Sequence, residues 1–272
     1  MEHLSRAISQ RPGQAAWHEL RAQMKSELGD HAGAASDYDA ILAMHAESWN
    51  LRRGRRTLTA ADLRQARGEA RFRAGRIALS LEDFDAFLKS HPERAPHHWQ
   101  RGIALYYAGR HAEAAKQFES HRAVNPNDVE NAAWHFLCVA RDRGIAAARA
   151  SLIPTRGDAR VPMAEIQQLF ADRASPDDVL AACKAGDPAP AELNDRLFFA
   201  HLYLALHHEA HSRPEDSLKS IKLAVEEYPS SSYMGDVARV HLALRRPPPP
   251  QAESKPEAKP QAKPEAARTP QP

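Results

Sequence analysis

Fifteen histidines and two cysteines are the residues of this 272-residue chain best suited to chemistry. The densest histidine group is His201, His207, His208 and His211. His207 and His211 are four apart, so on a helix both can reach one metal from one face. The run His208-Glu209-Ala210-His211 brings its second histidine one residue too early for the H-E-x-x-H spacing of zinc hydrolases. Spacing fixes no third ligand, so a metal-dependent enzyme built on His201 to His211 competes with solvated or groove-lining histidines. In Trp134-His135-Phe136-Leu137-Cys138, His135 and Cys138 are neighbours on a helix. A nucleophilic thiol also needs thiolate stabilisation and an oxyanion site. The flanking residues supply neither, and burial is the competing role. Cys183, in LAACKAG, reads as a core thiol. Arg52, Arg53, Arg55 and Arg56 form the one dense basic patch, suited to a phosphate or an acidic partner. Only Trp49 offers a stacking surface beside it, which argues against RNA. Arg156-Gly157-Asp158 is a tripeptide match near chance. There is no P-loop, no G-x-S-x-G and no G-x-G-x-x-G. The sequence therefore assigns no catalytic residue, no metal ligand set and no cofactor.

The elements that would position such residues can be read from composition and period. The chain is 43% apolar and 26% charged with a net charge of +2. It can bury a sizeable core. It is too balanced in charge for a dedicated nucleic-acid binder. Two cysteines cannot build a disulfide framework. No apolar run approaches the roughly 20 residues of a membrane helix, and the first residues, MEHLSRAISQRPGQ, show no signal-peptide core. Nine of the 20 prolines lie in residues 247–272, where Lys-Pro-x-Ala recurs from Lys255, Lys259 and Lys263. That segment has no apolar side chain larger than alanine, so it reads as a disordered, partly polyproline-II tail or spacer.

The remaining 246 residues carry a 34-residue register. Gly68 and Gly102, Gly75 and Gly109, Phe84 and Phe118, and Pro92 and Pro126 are each 34 apart. The second copy reads WQRGIALYYAGRHAEAAKQFESHRAVNP. With Gly102 at its eighth position, Ala114 at its twentieth, Phe118 at its twenty-fourth and Pro126 at its thirty-second, it resembles the tetratricopeptide repeat. The resemblance implies an all-α superhelix of helix pairs. Small residues let the two helices of a pair approach, and large apolar residues fill between pairs. Repeats are expected near 15–46, 61–94, 95–128 and 198–229, with a degenerate copy at 129–155. A non-repeat helical stretch is expected near 161–186, and a capping helix at 232–245 over the open end. No strand is expected. Twelve extra residues separate the first two repeats, around SWNLRRGRRTLTAAD. Leu4, Ala7, Ile8 and Pro12 fit the second helix of a repeat whose first helix is missing. Either the natural start lies upstream, with a targeting segment, or a short helix caps the stack. Hence the chain as given reads as cytoplasmic, and as periplasmic or envelope-bound if such a segment exists.

Residues 97–141 and the closing YMGDVARVHLAL also resemble a narrower group of such proteins in bacteria, including planctomycetes, with plant relatives. A looser similarity is to NlpI-like periplasmic lipoproteins, but their lipid-acceptor cysteine is absent. The resemblance implies that positions 2, 5, 9, 12 and 13 of each first helix face a concave groove. These include Gln65, Glu69, Phe72 and Arg73, then Pro96, Trp99, Ile103, Tyr106 and Tyr107. Phe72 and Ile103 can equally be core between repeats. Aromatics beside an arginine are what peptide hot spots favour. Gln65, Glu69, Arg73, Trp99, Tyr106 and Tyr107 are thus the expected partner-binding set. A chaperone-type carboxylate clamp does not fit, because Glu19, Gln23, Gln65 and Glu69 stand where Lys and Asn are needed. The function so implied is a non-enzymatic scaffold that binds a protein or peptide. The alternatives are the histidine-cluster enzyme and a self-associating envelope protein.

Overall fold

The computed structural model describes residues 1–44, 49, 51–53 and 56–245. The expected tail at 247–272 and Arg55 of the basic patch lie outside them. The chain begins with α1 (Glu2–Gln10), α2 (Ala15–Glu27) and α3 (His31–Ala43). A minimal antiparallel pairing of β1 (Arg52–Arg53) with β2 (Arg56–Thr57) follows, where no strand is expected from sequence. Next come α4 (Ala60–Arg73), α5 (Ile77–Ser90), a 3₁₀ segment Pro92–His97, α6 (Trp99–Tyr107) and α7 (His111–His121). The C-terminal half holds α8 (Val129–Arg143), α9 (Ile145–Ala150), α10 (Met163–Phe170) and α11 (Pro176–Lys184). It ends with α12 (Pro190–Ala210), α13 (Pro214–Lys222) continued by one wide turn over Leu223–Glu227, and α14 (Tyr233–Arg245).

Successive helices pack as antiparallel hairpins, and each hairpin leans on the next. The repeating residues explain the pairing. A Cβ on Gly102 would stand 2.7 Å from Phe118 Cζ, and one on Gly68 the same distance from Phe84 Cε1. The α6–α7 and α4–α5 crossings are therefore close because the eighth residue of each repeat has no side chain. Phe84, Phe118 and Ala114 are buried in the resulting seams. Gly75 and Gly109 turn the chain between partners at φ +73° and +74°, a conformation that costs glycine nothing. In the α12–α13 hairpin, Ser212 takes that place at φ 57°. Pro92 opens the 3₁₀ segment. Pro126 stands in the α7–α8 connection, ahead of the Asp128 cap of α8.

A second periodic device ties the same hairpins. Arg21 Nε lies 3.0 Å from Asp37 Oδ2, and Arg67 Nε lies 2.9 Å from Asp83 Oδ2. Both pairs span 16 residues, and both carboxylates are buried. Burial raises the pKa of Asp37, but Arg21, Lys25 and His18 overcome it and leave the carboxyl below its usual range. Arg101 repeats the arrangement, with Gln117 in the aspartate's place at 3.4 Å and Asp85 added at 2.6 Å.

Two expectations change. Helix α12 begins at Pro190, eight residues before the expected repeat, and both it and α10 pack on α8. The segment expected to cap the open end does more. Helix α14 packs on α13 and then reaches α4 in the second expected repeat, so it lies in the hollow of the stack. The apolar core is accordingly in two parts. A small cluster joins α2, α3 and α4, and a large one runs from Phe72 through α5–α13 to Leu242 on α14.

Candidate partner-binding groove

The six residues selected from sequence fall in one band on α4 and α6, and α14 lies against much of it. Tyr233 stacks on Phe72, with centroids 5.8 Å apart and planes at 16°, and meets the Trp99 ring edge-on at 4.9 Å. Arg73 Nε donates to Asp236 Oδ2 at 2.6 Å, and its guanidinium stands 5.4 Å from the centre of the Tyr233 ring. Tyr107 Oη donates to His241 Nδ1 at 3.0 Å. Glu209 on α12 gathers the far end of α14. It accepts from Arg245 Nε at 2.8 Å and from Arg141, and Tyr106 Oη reaches it at 3.4 Å. His241 Nε2 stands 3.2 Å from Glu209, out of line for a hydrogen bond.

The electrostatics follow from this burial. Burial works to raise the pKa of Glu209, but Arg245, His241 and Arg141 prevail and bring it down to about 2. Burial pushes His241 down to about 4 despite Glu209. Burial also pushes both tyrosine hydroxyls well above their usual range. Arg73 and Tyr107 therefore hold α14, Tyr106 is packed against Trp134 and reaches Glu209, and the three are not an open face. Phe72 and Ile103, the two with a competing core role, are buried. Gln65, Glu69 and Trp99 remain half-buried at the edge of α14. Gln65 Nε2 donates to Glu69 at 3.0 Å, and His98 Nε2–H donates to Gln65 Oε1 at 2.8 Å.

Beside the N-terminal end of α14 a cavity of about 270 Å³ stays open. Trp99, Ile103, Phe118, Trp134 and Met234 give it apolar walls from four helices. Asp128 and Glu130, at the start of α8, give it an acidic side. Sequence reasoning missed both Met234 and the two acids. It also missed α14 as a groove-filling helix, although the signal is present. Met234, Val237, Ala238, Val240, His241 and Leu242 are all buried, and with Asp236 they cover more of the helix than the single stripe of a cap.

The other candidate sites resolve as packing. His207 and His211 do meet, with ring centroids 4.1 Å apart. His211 Nδ1 bonds to the His207 carbonyl at 2.9 Å, His207 packs edge-on to Phe170, and His201 stacks on Tyr228 instead of joining them. Burial brings His207 down to about 3. Among the described residues, no group of three or more His, Cys, Asp or Glu is placed to hold a metal ion. Burial pushes the Cys138 thiol far up and Cys183 up to about 11, the opposite of nucleophile activation. His135 Nε2 pairs with Glu119 at 3.2 Å and not with Cys138. Among the described residues no helix is long and apolar enough to cross a membrane.

A stack of helix hairpins tied by Gly–Phe seams defines a helical-repeat protein. Residues 66–128 match the tetratricopeptide repeat family, so this part of the chain carries tetratricopeptide repeats. The fold is similar to that of a tetratricopeptide repeat protein from Parabacteroides merdae, with a TM-score of 0.51 at 15% identity over 90% of both chains. The C-terminal part of a repeat-containing protein from Cytophaga hutchinsonii also matches, at 12% identity and a TM-score of 0.31, over 87% of this chain and 92% of that one. None of the curated proteins matches the chain.

Proposed function

We propose that the protein is an interaction scaffold that acts by binding and not by catalysis, holding a protein or peptide on its concave side. The fold class supports an interaction role. The cavity walled by Trp99, Trp134 and Met234 carries the choice of surface, because it is an open, mainly apolar cavity beside α14. Of the six residues selected from sequence, Trp99, Gln65 and Glu69 would face the partner. Arg73 and Tyr107 would act indirectly, by seating α14, and Tyr106 by packing on Trp134, which lines the cavity. A non-catalytic role is supported by the raised thiols and by the aromatic and backbone contacts of the histidines.

The test is affinity capture with the full chain as bait against two single variants. Trp99→Ala should lose a specific partner while circular dichroism stays near wild type. Tyr106→Ala should lower thermal stability as well, because that ring is 3% exposed and packs on Trp134 and Tyr107. A partner retained in full by Trp99→Ala would refute this surface.

A further inference from the structure

The open cavity differs from an ordinary apolar dimple in what borders it. Its walls are Trp99, Ile103, Phe118, Trp134 and Met234, and its volume of about 270 Å³ suits one large side chain. Along its acidic side, Asp128 and Glu130 share one cation with Asp158. Arg160 Nη2 lies 2.9 Å from Asp128 Oδ1 and 2.7 Å from Asp158 Oδ2, and Arg160 also pairs with Glu130. Three carboxylates on one guanidinium leave a local charge of about −2, mostly screened from water, since the three acids expose only 18%, 15% and 7% of their side chains. Tyr203 Oη donates to Glu130 at 2.7 Å. Burial nevertheless raises the pKa of Glu130, and Arg160 and Tyr203 do not bring it back. The cluster is short of positive charge. Two lining residues, Asn131 and Trp134, also keep a buried acceptor (Oδ1) and a buried donor (Nε1) without partners. Those are the complements of a peptide amide's N–H and C=O.

We infer that this cavity anchors a partner peptide through one large apolar side chain placed next to a lysine or arginine that pairs with Glu130 and Asp128. The inference rests on the scaffold reading above and adds the chemistry of the partner. The apolar side chain supplies burial, and the cation restores charge balance in a desolvated place, where one ion pair counts for more than on a surface.

The probes are three capped tetrapeptides: acetyl-Ser-Phe-Lys-Ser-amide, acetyl-Ser-Phe-Glu-Ser-amide and acetyl-Ser-Ala-Lys-Ser-amide. The readout is the indole N–H signals of Trp99 and Trp134 in a nitrogen-15 correlation spectrum of the full chain. The Phe-Lys peptide should give saturable shifts at both indoles and bind roughly tenfold more tightly than either control. Glu130→Gln keeps an acceptor for Tyr203 and should weaken the Phe-Lys peptide severalfold without weakening the Phe-Glu one, whose repulsion it relieves. Met234→Phe fills the cavity from α14, leaves the acids in place and should abolish the shifts. Equal binding of the three peptides, or no saturable shift at roughly 10 mM, would overturn the inference. The scaffold reading is judged separately: peptides that fail while Trp99→Ala still loses its captured partner remove the peptide chemistry and leave the scaffold standing.

Discussion

At the scale of single residues, the fold depends on side chains that are absent as much as on those present. Gly102 is the sharpest instance. Alanine there would gain up to about 1 kcal/mol in helix propensity, but its Cβ would sit 2.7 Å from a Phe118 ring that is only 1% exposed and closely packed. Overpacking of this kind costs about 1–3 kcal/mol, so the clash wins. Gly102→Ala should lower the urea midpoint with an unchanged denaturant slope. Adding Phe118→Leu should recover part of the loss, since the two changes relieve each other; strict additivity would mean that the ring is not the obstacle. The glycine and the phenylalanine were legible in sequence because 34 residues separate each from its copy. The Arg67–Asp83 pair has its copy in Arg21–Asp37, 46 residues upstream across the insertion, while 34 residues downstream Gln117 replaces the aspartate, so no strict period exposes it in the sequence. For the histidines, the i, i+4 spacing correctly brings His207 to His211. It could not reveal that His201 would turn to Tyr228.

At the scale of elements, α14 is the part least visible beforehand. Its key bond, Arg73 to Asp236, joins residues 163 positions apart, and no period links them. A helix with buried residues on several sides must lie between two surfaces, yet which second surface it meets is decided only by the curvature of the whole stack. The seating of α14 has a pH dependence whose sign can be worked out. Folded His241 titrates near 4, against an ordinary value of 6.5. Below pH 6.5 the unfolded chain therefore binds the extra proton first. The contribution of His241 is full above pH 6.5 and is lost as pH falls towards 4. Glu209 acts lower, since its stabilisation is present above 4.5 and fades as pH falls towards 2. A proton on Nδ1 would also abolish the acceptor for Tyr107. Acid should thus loosen α14, read as limited proteolysis at Pro229–Ser232 that rises between pH 6.5 and 4. His241→Gln should flatten that rise in part, because His98 and His207 are also buried with depressed values and destabilise other helices in the same range. An unaltered profile in His241→Gln would show that this histidine does not set the response.

At the scale of the whole molecule, repeat stacks store stability locally, each hairpin leaning on its neighbours. The two-part core predicts an uneven distribution here. Amide hydrogens of α2 and α3, in the smaller cluster, should exchange through lower-energy openings than those of α8 and α12. Exchange measured by mass spectrometry would decide it, and equal protection would mean that α4 transmits stability across the boundary. The return of α14 to α4 has a mechanical consequence as well. An open superhelix behaves like a spring, adjusting pitch and radius by small amounts at every joint to suit what it grips. A rod fastened across the arc sets the chord, and the spring loses that freedom. Whatever this protein holds must therefore match a span already fixed, and recognition would proceed with little bending of the arch and little ordering of the joints.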